Sequence, residues 1–265
     1  MPAQAGRRFA ALFVAASAVA LAGCHVDLSM RAEAKDQWKR HYTIAKGGTL
    51  EVRNTNGLIR IEPGEGDAID ITADRVVQAA NDQAAKDALA GLEIRETATA
   101  DRVVIDSANR GGINIGFNMS RRVDYVVRAP AWINVKLTTT NGDITVGPGL
   151  SGTFYAEGTN GRISAQGLEN SASASTTNGT ISLDLAKLGE DGVTAETTNG
   201  TISVSVPPTI GARLSARVTN GVIRQEGLTL KVSEQSRRRL DATLGSGGPE
   251  IKLETTNGAI TIKAR

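Results

Sequence analysis

The chain has 265 residues, with 30 Lys and Arg against 28 Asp and Glu, 3% aromatic residues, two His and one Cys. One Cys excludes an intramolecular disulfide, and with only His25 and His41, both near the N-terminus, a histidine-based triad or histidine metal site in the body of the chain is excluded. Few aromatics count against a stacking platform for sugars or single-stranded nucleic acid.

The chain opens with Arg7 and Arg8, an apolar run from Phe9 to Ala22, and "LAGC" from Leu21 to Cys24. Such a run is short for a membrane-spanning helix and has the layout of a secretory signal. "LAGC" resembles the lipobox of bacterial lipoproteins, which implies a signal peptide over residues 1–23 and diacylation of Cys24. Acyl chains contribute about 0.8 kcal/mol per buried CH₂, enough in combination for a stable membrane anchor. His25 rather than Asp follows the Cys, and by the sorting rule of enterobacterial lipoproteins this makes the outer membrane the expected destination. Without Arg7 and Arg8 the 30 basic residues fall to 28, matching the 28 acidic ones, so no global charge favours nucleic acid. Arg121–Arg122 and Arg237–Arg239 read as solvated turns or rims. Residues 24–41 are polar, lack strand alternation and read as a lipid-anchored tether, with a β-strand-repeat domain expected over 42–265.

From there a repeated word organises the chain: Thr-Asn-Gly-x-Ile occurs seven times, with corner residues Asn56 and Gly57, Asn141 and Gly142, Asn160 and Gly161, Asn178 and Gly179, Asn199 and Gly200, Asn220 and Gly221, and Asn257 and Gly258. Successive glycines are 85, 19, 18, 21, 21 and 37 residues apart, a period near twenty whose two long gaps suggest degenerate units. Inside the first gap, "AIDITADRVV", "LEIRETA", "DRVVIDS" and "RRVDYVVRAP" alternate like strands. The Ala-rich "QAANDQAAKDALAGL" (78–92) has helical spacing and reads as a short helix on one side of the sheet or over an end. In the second gap a glycine-rich turn falls at Gly245 to Gly248.

Six residues before each Asn stand Leu50, Val135, Phe154, Ala172, Val193, Leu214 and Ile251; four before, Val52, Leu137, Ala156, Ala174, Ala195, Ala216 and Leu253. Three after it is always Ile, and five after are Ile61, Val146, Ala165, Leu183, Val204, Gln225 and Ile262. The inward parity therefore runs to the Asn and resumes at the Ile, with a corner between where Gly supplies a positive φ. Two architectures satisfy this: an antiparallel sheet of hairpin repeats with Asn-Gly turns, or an all-β solenoid, β-helix-like, of coils of about twenty residues. The solenoid is preferred, because only stacking gives a use to the whole word. Like residues then touch at about 4.8 Å, Asn amides bond to those above and below, and Thr55, Thr140, Thr159, Thr177, Thr198, Thr219 and Thr256 form an outer row. The terminal unit is expected to leave an open strand edge guarded by Lys263 and Arg265.

The lipobox, the repeated Thr-Asn-Gly-x-Ile strands and the run "LDATLGSGGPEIKLETTNGAITIKAR" together resemble the bacterial β-strand-repeat lipoproteins named as candidate adhesins, a domain of unknown function related to the head-GIN and toast-rack domains. The resemblance covers roughly Tyr42 to Arg265. It implies a β-helix-like fold and an envelope location, and it carries no catalytic residues.

Chemistry is sparse. No phosphate loop, zinc-protease helix or calcium loop is present, "GSGG" at Gly245 reads as a turn, and no cofactor or metal is implied. Asp143, Glu157, Asp184, Glu196, Glu226 and Glu254 lie near the motif at differing offsets on the outward parity, and a polysaccharide-acting β-helix enzyme with paired carboxylates is the remote alternative. The expected function is a non-catalytic, lipid-anchored envelope protein or adhesin-like scaffold whose partners are the membrane through Cys24 and an envelope protein or glycan. The alternative is an envelope-stress accessory protein bound to a membrane partner.

Overall fold

The computed structural model describes residues 32–108 and 119–265. The expected signal peptide, Cys24 and the first part of the expected tether lie outside the described residues. In chain order the strands are β1 (Ala32–Thr43), β2 (Thr49–Asn56), β3 (Ile59–Gly64) and β4 (Ala68–Ala79), then helix α1 (Asp82–Ala90), then β5 (Arg95–Ala98), β6 (Arg102–Asp106), β7 (Ser120–Pro130), β8 (Asn134–Asn141) and β9 (Ile144–Val146). They continue with β10 (Phe154–Asn160), β11 (Ile163–Leu168), β12 (Ala172–Asn178), β13 (Ile181–Leu185), β14 (Val193–Asn199), β15 (Ile202–Val206), β16 (Ala212–Glu226), β17 (Leu230–Gln235), β18 (Arg239–Leu244) and β19 (Glu250–Ala264).

The body is a parallel β-solenoid. Strands before the corner pair in the order β2, β8, β10, β12, β14, β19, β16, so that Leu50, Val135, Phe154, Ala172, Val193, Ile251 and Leu214 fall on one another. Strands after the corner repeat that order, stacking Ile59, Ile144, Ile163, Ile181, Ile202, Ile260 and Ile223. Of these two rows all but Ile223 are buried, so two apolar columns face each other through a thin core. Ala172, Ala174, Ala195 and Ala216 keep it thin, and the hairpin alternative is excluded for the repeats because their ladders are parallel.

Chain order and stack order differ. The 85-residue gap inserts nothing between its flanking motifs, since Asn56 pairs directly with Asn141. Its residues build one end of the stack: β6 and β7 add parallel to β2 and β3, then β4 pairs antiparallel to β7 and β1 antiparallel to β4. The 37-residue gap closes likewise, Asn220 against Asn257, while β18 and β17 fold antiparallel onto β16. The long gaps are therefore mainly antiparallel caps, and only β6 and β7 extend the parallel coils.

Three expectations are corrected here. The tether assigned to 24–41 is, from Ala32 on, strand β1, in register with β4 from Ala32↔Ala79 to Thr43↔Ala68. An edge strand bonds through its backbone and leaves most side chains exposed, so it lacks the apolar alternation by which strands are read; half-buried Trp38 and Tyr42 pack on the core. The terminal repeat is not an edge, because β19 lies between β14 and β15 on one side and β16 on the other. At this end of the stack the open edge belongs to β16 beyond its pairing with β18, where Arg224, Gln225 and Glu226 are exposed. Finally, the inward row does not reach the Asn: it ends two residues earlier, at buried Asn54, Thr139, Thr176, Thr197, Thr255 and Val218, and both Thr and Asn of the motif turn outward.

The Ala-rich segment forms α1 as expected. Asn81 caps it by accepting from the Ala84 N–H at 2.9 Å, and buried Ala85 and Ala88 let it lie close on β4 and β1.

Candidate functional site

The corners come together in one row along the stack. Each Asn side chain donates to the carboxamide oxygen of the preceding coil: Asn141 to Asn56 at 2.8 Å, Asn160 to Asn141 at 2.8 Å, Asn178 to Asn160 at 3.0 Å, Asn199 to Asn178 at 2.9 Å, Asn257 to Asn199 at 2.8 Å and Asn220 to Asn257 at 2.9 Å. The row starts where Asn56 donates to the Arg121 carbonyl at 3.2 Å. Corner backbone runs the opposite way, Gly142 N–H donating to Asn160 O at 2.9 Å and Gly179 N–H to Asn199 O at 3.0 Å. This row is exposed at every coil but the first.

Gly is required at the corner chiefly by close approach. A Cβ on Gly142, Gly161, Gly179, Gly200, Gly258 or Gly221 would collide with the carbonyl oxygen of the glycine one coil away, and on Gly57 with that of Val123. Positive φ adds a second requirement at Gly57 (φ 122°) and Gly161 (φ 136°), but Gly179 and Gly200 do not have it.

Beside the amides runs the threonine row, Thr55 half-buried and Thr140, Thr159, Thr177, Thr198, Thr256 and Thr219 exposed. Three residues before the Asn lies another outward column, in which Glu157, Ser175, Glu196, Glu254 and Arg217 are register partners on β10, β12, β14, β19 and β16. Three of the six motif carboxylates thus share one offset and one column; Asp143, Asp184 and Glu226 stand elsewhere. Between the two columns lies a groove of about 690 Å³ across these five coils, lined at one end by Arg217, Arg238 and Arg239.

Charges along the groove are mostly matched. Lys252 reaches Glu196 at 3.0 Å and Glu254 at 3.3 Å; the hydrogen bond to Glu196, outweighing partial desolvation, holds its ammonium pKa above the ordinary value. Arg217 lies 3.6 Å from Glu254. Arg239 is engaged by Asp241 at 2.7 Å and Glu234 at 3.1 Å. Burial pushes the Asp241 carboxyl up, but hydrogen bonds from Arg239 and Ser215 outweigh it and leave the pKa lowered. Arg238 is exposed and forms no ion pair among the described residues. At the other end Tyr155 donates to Glu157 at 3.2 Å.

On the outer face of β2, Glu51 is fully buried and meets Arg53, Arg102 and, at 3.9 Å, Lys136. Burial raises its pKa, yet hydrogen bonds from Arg102 and Arg53 and the charges of Arg53 and Lys136 bring it below the ordinary value. This cluster ties β2, β6 and β8 together. Among the described residues no group of three or more His, Cys, Asp or Glu could hold a metal ion, and no helix is long and apolar enough to cross a membrane. His41 pairs at the surface with Asp70 at 2.7 Å.

Repetition exposes the corners; the groove is not visible in it because its arginines come from β16 and from the turn into β18, adjacent in space to Glu157 and Glu196 and distant in sequence. The shared offset of Glu157, Glu196 and Glu254 was the available signal.

Parallel coils with an in-register corner row, capped by antiparallel strands at both ends, define a β-solenoid repeat protein. The chain belongs to the family of the Toastrack domain DUF4097, whose model matches residues 39–263. No curated protein matches it. Solved structures similar to it include a candidate cell adhesion protein from Clostridium sporogenes ATCC 15579 (13% identity, TM-score 0.43, covering 87% of this chain and 100% of that one) and a candidate adhesin from Bacteroides fragilis NCTC 9343 (13%, 0.38, 88% and 98%). Another is a candidate lipid binding protein from Parabacteroides distasonis ATCC 8503 (12%, 0.27, 87% and 97%).

Proposed function

We propose that this protein is a non-catalytic binding scaffold of the bacterial cell envelope, exported, tethered to the outer membrane by acylation of Cys24, and presenting the outer face of its solenoid to an envelope component. The observation that carries the reading is the groove, whose hydroxyl and carboxylate columns are held at fixed spacing by parallel pairing on both sides of the corner. Such a surface needs no rearrangement to bind, which lowers the entropic cost of association. The groove carboxylates Glu196 and Glu254 share one lysine, an arrangement suited to a fixed polar surface. The anchor is tested by feeding cells an alkyne-tagged fatty acid. The wild-type chain is expected to carry the label and sediment with membranes, and Cys24→Ser to lose both. A Cys24→Ser protein that still carries label would overturn the anchor, and turnover of an envelope polymer by the purified protein would overturn the non-catalytic reading.

A further inference from the structure

The groove also has chemistry that selects among ligands. Along one side stand the hydroxyls of Thr177, Thr198 and Thr256, along the other Glu157, Glu196 and Glu254. From β10 to β16 it crosses four coil spacings, about 19 Å at about 4.8 Å each. A threonine hydroxyl both donates and accepts, and a carboxylate accepts only, so the walls match a chain that carries many hydroxyls of its own. The floor is backbone already paired in parallel ladders, so it offers no free edge to an extended peptide. Few apolar side chains line it, and nucleic-acid bases would find no aromatic wall.

The two ends differ. At one, Tyr155 is 37% exposed beside Glu157, with Lys136 Nζ 5.5 Å from the centre of its ring. At the other, exposed Arg238 is free of ion pairs among the described residues and Arg217 holds only a 3.6 Å contact to Glu254. Their backbones are held side by side, since Val218 N–H donates to the Arg238 carbonyl at 2.9 Å. Guanidinium groups so placed suit a carboxylate or phosphate.

Resting on the scaffold reading, we propose that the groove binds a hydroxyl-rich polysaccharide bearing acidic groups, an acidic group seated on Arg238 and Arg217 and sugar hydroxyls bonded to the threonine and glutamate columns. The test is calorimetric titration of the full chain in detergent micelles with fragments of hyaluronan, alginate and xanthan, with neutral dextran and polyglutamate as comparisons. At least one acidic glycan is expected to bind, with dextran about tenfold weaker or worse. Arg238→Ala is expected to weaken binding about tenfold, as loss of a charged hydrogen bond does. Thr198→Val is expected to weaken it by a smaller factor, both variants keeping the wild-type urea midpoint. Failure of all three acidic glycans, equal affinity for polyglutamate, or unchanged binding by both variants would overturn the proposal. Sedimentation with isolated envelopes separates the two levels: a protein that binds envelopes but no acidic glycan refutes the ligand and keeps the scaffold, and one that binds neither refutes both.

Discussion

Gly179 and Gly200 separate two reasons for a corner glycine. Their φ angles lie outside the left-handed region, yet a Cβ on either would collide with the carbonyl of the coil beneath. Gly179→Ala is therefore expected to cost about 1–3 kcal/mol or more, because rigid backbone cannot move aside as a side chain would. Gly158 is the counterexample. It stands in a strand where its register partner is Thr176, and its Cβ would meet Thr176 Oγ1 at 3.4 Å, an ordinary contact. Gly158→Ala is expected to stabilise by about 0.5–1 kcal/mol through a less flexible unfolded chain. Urea unfolding of the two variants checks both signs. Glu51 gives a third outcome. Its folded pKa lies below the ordinary 4.5, so its contribution is complete above that value and is lost as pH falls through the folded pKa. Glu51→Gln is expected to be less stable than wild type near neutrality and to show a shallower loss of stability in acid, measured by urea unfolding across that range.

Among elements, the apolar columns were legible because alternation by twos survives in every copy, and the preference for stacking over hairpins followed from repetition of Thr and Ile as well as Asn-Gly. Two elements were not legible for the same physical reason. β1 bonds through its backbone with little burial, and its partner β4 starts 25 residues after Thr43, so neither periodicity nor proximity marks it. The edge at the β16 end of the stack was marked, but faintly: Gln225 alone breaks the apolar position five after the Asn, and Ile223 alone of its column is only half-buried. There Arg224, Gln225 and Glu226 pair with β19 on one side and face solvent on the other, the arrangement by which edge strands resist addition of a neighbour. The double change Arg224→Val with Gln225→Ile is expected to make the chain self-associate, seen as a rise in mass by light scattering at unchanged secondary structure.

For the whole molecule, the feature with the widest reach is the placement of β19 inside the stack, between strands made before it. The coils ending at β15 and the strand β16 each keep an unfilled flank until residues 250–264 are available. A chain cut after Gly248 is expected to lose the cooperative urea transition and to be rapidly digested by protease around β16. Because synthesis runs from the N-terminus, folding of this half waits for a segment that leaves the ribosome late. Such a delay keeps this half of the polypeptide unpaired, and for a protein proposed to cross a membrane before it works, unpaired strands are the form that a secretion channel can pass.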